Sequence, residues 1–174
     1  MELETKKMVY AGLFGSLTAL GAYIIIPFPL VPITCQTLFL NLSAAFLGGR
    51  YAALSQLIYI FLGIMGLPVF AGGKGGLGVL FGPTGGYLLG FILAAFITGS
   101  LIEKSKRGII ALVLPMLLGM VVIYILGVLQ LSIVSKLSLN RAILVGVIPF
   151  IIGDIIKILI ACLIYLNLRD RVRL

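Results

Sequence analysis

The chain contains no histidine, two cysteines and only five acidic residues among its 174. Without an imidazole there is no His-based metal site, no His general base and no HExxH zinc motif. The cysteines, Cys35 and Cys162, lie in or beside apolar runs and lack metal-ligand spacing, so both read as small buried hydrophobes rather than ligands or a disulfide. Charged residues make up only 10% of the chain and hydrophobic ones 61%. A soluble domain of this size has too little interior to hide that much apolar surface. The chain is therefore expected to be one integral membrane domain over residues 1–174, with no room for a second folded domain. The opening MELETKKM is too short and too mixed in charge for a cleaved signal peptide, and the apolar segment after it is expected to stay as a span.

About 20 apolar residues are needed to cross the hydrocarbon core. Six candidate helices follow, at about 8–26, 34–48, 51–66, 84–102, 109–134 and 142–166, giving an all-α membrane protein. The break at Gly48-Gly49-Arg50 is a tight turn at the interface. The formal net charge is +8. Basic residues collect at segment ends, which points to orientation rather than to nucleic acid. With the N-terminus inside, Lys6, Lys7, Arg50, Lys104, Lys106, Arg107, Arg169, Arg171 and Arg173 face the cytoplasm, and only Lys74, Lys136 and Arg141 face outward. Both termini are accordingly placed in the cytoplasm. The connections at 27–33, 67–83 and 135–141 then form the outer surface.

The last apolar stretch, IPFIIGDIIKILIACLIYL, holds Asp154 and Lys157. A charge at the centre of a bilayer costs at least about 2.5–3.5 kcal/mol on insertion scales. Spaced i, i+3, the two share a helix face and can pair. The pair marks either a substrate path reached from outside or a structural lock on helix packing. If Pro149 opens the helix, Asp154 lies about 7–8 Å along its axis.

The connection GLPVFAGGKGGLGVLFGPTGGYLLGF, 66–91, has ten glycines and two prolines. It cannot be a plain helix, yet it is too apolar for a solvated linker. It is expected to fold back on the bundle, either as a tight crossover or with backbone N–H groups offered to a ligand. Gly73, Gly75 and Gly78 match GxGxxG, but no βαβ unit surrounds them, and Lys74 lacks the Ser or Thr of a phosphate loop. Any ATP-driven work belongs to a partner. The connection PFPLVPITCQT ends on Thr34, Gln36 and Thr37. These either bond a polar ligand or, for Thr34, cap the next helix. Gln36 needs a partner so near the membrane, and Asn41, deeper, suits a bond between helices. Ala11, Gly15 and Ala19 form a small-residue stripe, for packing within the bundle or for docking another membrane protein.

The blocks VPITCQT, FLGGRYAALSQLIYIFLGIMGLPVFAGGKGG, GPTGGYLLGF and GDIIK, in this order, resemble the BioY family, the biotin-specific S components of energy-coupling-factor (ECF) vitamin transporters. The resemblance runs from about residue 11 to 166. It implies a six-helix S-component fold in a prokaryotic cell membrane, with an outward biotin pocket and the third connection as its lid. The family's acidic and basic residues map onto Asp154 and Lys157. Thr84, Gly85, Gly86 and Tyr87 match its loop block, and the stripe on the first helix matches its docking surface. The implied partners are a transmembrane coupling subunit and two ATPase subunits, with no resident cofactor and no catalytic or metal site. The chain departs from the pattern at Lys74, where the family carries small residues. Biotin's ureido N–H groups suit Asp154, its carbonyl or carboxylate suits Lys157, and its apolar bicycle suits Tyr87, Phe70 and Phe81. Gln36, Lys74, Gly75 and Gly76 complete the candidate set. Other readings are an S component or small carrier for another vitamin or metabolite, a proton-coupled carrier in which Asp154 titrates, and, least supported by the residues, an intramembrane enzyme.

Overall fold

The computed structural model describes residues 2–105 and 108–171. Among the positive charges assigned to the inner side, Lys106, Arg107 and Arg173 lie outside the described residues. Seven helices are present among those described: α1 (Glu2–Tyr23), α2 (Gln36–Leu47), α3 (Gly49–Ile64), α4 (Gly85–Lys104), α5 (Ile110–Val134), α6 (Leu139–Gly146) and α7 (Ile151–Leu168). A two-residue antiparallel ribbon, β1 (Ile25–Ile26) with β2 (Ile33–Thr34), closes the first outer connection.

Helices α4, α5 and α7 are long and apolar enough to cross a membrane, and α2 is apolar but shorter. Helix α1 begins before the expected 8–26, because its charged first turns continue the helical path. The larger correction concerns 142–166, expected as one helix. It is two, α6 and α7, parted by a turn over 147–150. Pro149 lies in that turn rather than in the first turn of a helix. Proline cannot donate to the preceding carbonyls and disfavours a helical conformation at Ile148 before it.

Helix α2 packs against α1, α3, α4 and α7 and so forms the centre of the bundle. It is largely buried, and only Gly48 separates it from α3. The tight turn works because the backbone N–H of Gly49 donates to Glu103 Oε2 at 3.2 Å. Two apolar clusters fill the interior. One surrounds the outer ends of α2 to α5 and contains Leu40, Tyr59, Phe70, Tyr87 and Phe91. The other fills the opposite half with Phe14, Leu42, Leu47, Met116, Ile158 and Cys162. Large apolar side chains such as Ile110, Leu114, Ile133 and Ile152 point outward, as lipid-facing residues do.

The small-residue stripe of α1 turns inward. Ala11 and Ala19 are buried, and a Cβ on Gly15 would stand 2.8 Å from the Ser55 carbonyl oxygen of α3. In this structure Gly15 serves the α1–α3 contact and Ala11 and Ala19 are buried in the bundle, which favours the packing reading of the stripe over docking. Gly15→Leu is therefore expected to destabilise the isolated protein by about 1–3 kcal/mol through overpacking. The measurement is its unfolding midpoint in detergent. An unchanged midpoint together with failed assembly would return the stripe to a partner surface.

Candidate functional site

At one end of the bundle, the ribbon, the glycine-rich connection and the starts of α4 and α7 enclose a pocket. It offers about 780 Å³ of space, counting the part open to solvent. The mostly apolar lining suits a small organic molecule. Val31, Phe70, Leu88, Phe91, Ile123 and Phe150 supply apolar walls.

The polar floor is built around Asp154. The break before α7 places this carboxylate in the first turn of a helix, where the positive end of the helix dipole favours an anion. Lys157, one turn on, forms an ion pair with Asp154 Oδ1 at 2.6 Å and donates a second hydrogen bond to the Thr34 carbonyl at 2.8 Å. Thr37 donates its hydroxyl to Asp154 Oδ1 at 2.9 Å, and Tyr124 donates to Oδ2 at 2.5 Å. Asp154 and Lys157 are only 5% and 9% exposed. A buried pair repays its desolvation only with the help of further hydrogen bonds, and here Thr37, Tyr124 and the Thr34 carbonyl supply three. Beside the pair, Gln36 donates to the Tyr59 hydroxyl at 2.5 Å and accepts from Thr34 Oγ1 at 2.7 Å. Thr34 thus braces Gln36 and does not occupy the N-cap position, which falls to Cys35.

The roof is the connection between α3 and α4. Phe70 is its plug: almost fully buried, its ring meets Tyr59 edge to face with centroids 5.6 Å apart. The ring also occupies the space where a Cβ on Gly63 would stand, so only glycine at 63 leaves room for it. Three helices tie the roof down. Tyr23 of α1 donates to the Pro68 carbonyl. The Gly63 carbonyl of α3 accepts from Gly76 N at 2.7 Å, with Gly76 at φ 91°, a conformation that favours glycine. Gln130 of α5 donates to the carbonyls of Leu80 and Gly82 at 2.6 and 2.8 Å. Lys74 lies on this roof at the rim. It is exposed and lines the pocket, and no carboxylate among the described residues pairs with it.

Of the residues singled out from the sequence, Gln36, Phe70, Lys74, Thr84, Tyr87, Asp154 and Lys157 all line this one pocket. Gly75, Gly76, Gly85 and Gly86 do not. A Cβ on Gly75 would press on the carbonyls of Gly66 and Leu67, and Gly76 is engaged with Gly63. Side chains at Gly85 and Gly86 would collide with the Leu80 and Leu126 carbonyls, so these two let α4 close against the roof and α5. Phe81 is 73% exposed and points away from the pocket. Tyr87 presents its ring to the pocket while its hydroxyl donates to the Gly146 carbonyl at 2.9 Å. Tyr124 is the residue that sequence reasoning missed. Its signal was a tyrosine in an otherwise apolar helix, where a hydroxyl needs a partner.

The family model described as "BioY family" matches residues 1–174. A protein described as "Biotin transporter BioY" from Thermotoga maritima is 46% identical over 164 residues, covering 94% of this chain and 96% of that one. A "Probable biotin transporter BioY" from Pyrococcus horikoshii is 40% identical over 162 residues, covering 93% of this chain and 95% of that one. Among solved structures, the crystal structure of "the S-component for biotin from an ECF-type ABC transporter" superposes with a TM-score of 0.89 at 26% identity. That match covers 97% of this chain and 93% of the other.

Proposed function

Because the chain belongs to the BioY family, we propose that it binds biotin at the Asp154–Lys157 pocket and delivers it for uptake. It is a membrane transport protein of the S-component class and not an enzyme. The observation that carries the assignment of the site is the ion pair. A carboxylate and an ammonium, each held by further hydrogen bonds, form the floor of an apolar pocket otherwise suited to a bicyclic ring. The remaining steps are part of the same reading. Biotin enters from the outer face of a prokaryotic plasma membrane, beneath the roof that carries Phe70. A transmembrane coupling subunit and two ATPase subunits then drive its release to the cytoplasm. ATP hydrolysis belongs to those partners, and this chain needs no cofactor of its own.

The test is calorimetric titration of biotin into the purified protein in detergent. Tight one-to-one binding is the expected result. Absence of heat with well-folded protein would separate the family's ligand from this chain, and other vitamins would then be titrated against the same site.

A further inference from the structure

The hydrogen-bond inventory of the pocket floor fixes which end of the ligand it can accept. A carboxylate offers about four lone-pair positions. Asp154 has committed one each to Lys157, Thr37 and Tyr124, which leaves an acceptor position on Oδ2. Lys157 has committed N–H groups to Asp154 and to the Thr34 carbonyl, which leaves one donor. The ion pair therefore offers one acceptor beside one donor and carries no net charge. That pattern complements a neutral group with N–H next to C=O, such as one edge of a cyclic urea. It rejects a carboxylate, which brings acceptors alone and would face the Asp154 anion. The rim is different. Lys74 is a cation on the roof with no acidic partner among the described residues, and it borders the same cavity.

We propose that Lys74 is a specificity-determining residue that binds the carboxylate tail of the ligand at the pocket rim while the ureido head sits on the Asp154–Lys157 floor. The proposal rests on biotin being the ligand. It gives the pocket a polarity: a charge-neutral floor that reads hydrogen-bond pattern and a cationic rim that reads charge. Discrimination against uncharged tails then follows from the rim alone.

The test compares biotin with biotinamide, whose tail is uncharged, on wild-type protein and on Lys74→Met, by calorimetry. The Lys74 side chain is exposed, and its part in the roof is a backbone carbonyl that accepts from Phe70 N, so the variant keeps the fold. Wild-type protein is expected to bind biotin about tenfold more tightly than biotinamide, as one charge-assisted hydrogen bond allows. In Lys74→Met, biotin loses that advantage, biotinamide affinity is unchanged and the two ligands become equal. Arg141→Met, an exposed cation outside the pocket lining, keeps the wild-type ratio. A preference that survives in Lys74→Met, or is lost equally in Arg141→Met, overturns the assignment while leaving biotin as the ligand. Binding of neither ligand by folded wild-type protein overturns both readings at once.

Discussion

Asp154→Asn is expected to weaken biotin binding by about 10- to 100-fold, the loss of one hydrogen bond to a charged acceptor. The amide keeps the shape of the carboxylate but changes its bonding. Its oxygen still accepts, but its nitrogen turns a donor toward either the Lys157 and Thr37 side or the Tyr124 hydroxyl, all of which are donors themselves. Lys157 also loses its counter-ion in a largely buried position. Removing one partner of a buried pair costs about 3–5 kcal/mol when burial is complete. Here the retained bond to the Thr34 carbonyl and the adjoining pocket moderate that cost. Titration calorimetry gives the affinity, and a thermal melt in detergent shows whether the variant is folded. Asp154→Asn with Lys157→Met removes the orphaned ammonium, so it should recover melting stability without recovering affinity. Wild-type affinity in the single variant would take Asp154 out of ligand contact. Recovery of binding in the double variant would reduce its role to neutralising Lys157.

Gly63→Leu should unseat the roof. The Phe70 ring rests directly over Gly63, and the next turn of α3 offers Tyr59 to its edge. A leucine at 63 evicts the ring, while glycine is not needed there to keep α3 helical. Overpacking of this kind costs about 1–3 kcal/mol, equivalent to roughly a 5- to 150-fold change in an equilibrium. Since the strain falls on the closed roof, it should emerge mainly as faster release. A chase experiment with labelled biotin is expected to show a dissociation rate at least about fivefold higher, with much less change in association. An unchanged rate would mean that Phe70 does not retain the ligand.

The parts of this site that the sequence made legible share a property: each residue violates the rule of its surroundings. Asp154 and Lys157 are charges in an apolar run, Gln36 is an amide at a span's edge, and Phe70 is a large aromatic among glycines. Such residues announce a need for partners, and the structure brings them into one pocket. The glycines were less legible, because two different needs give the same residue. Close helix approach selects Gly85 and Gly86, just as a ligand-facing backbone would, and only the position of α5 separates the two. The α1 stripe suffered from the same ambiguity: small residues permit contact without specifying the partner, which for Gly15 here is α3. The break before α7 did have a signal, Gly146 followed by Pro149, but a continuous apolar run concealed it. Tyr124 was overlooked because its helix reads as a plain span. Its partner lies 30 positions away, beyond the reach of local periodicity.

The break between α6 and α7 has a consequence for biosynthesis. Alone in lipid, this last segment would carry a carboxylate and an ammonium with no partner but each other, and a frayed helix end, each costly where no water can serve. All three are answered by residues made earlier: Thr37 and Tyr124 for Asp154, Thr34 for Lys157, and Tyr87 for the Gly146 carbonyl. A chain emerges from the ribosome N-terminus first. The receptors for its least lipid-compatible segment are thus translated before that segment is, and the pocket is completed by the last piece to arrive.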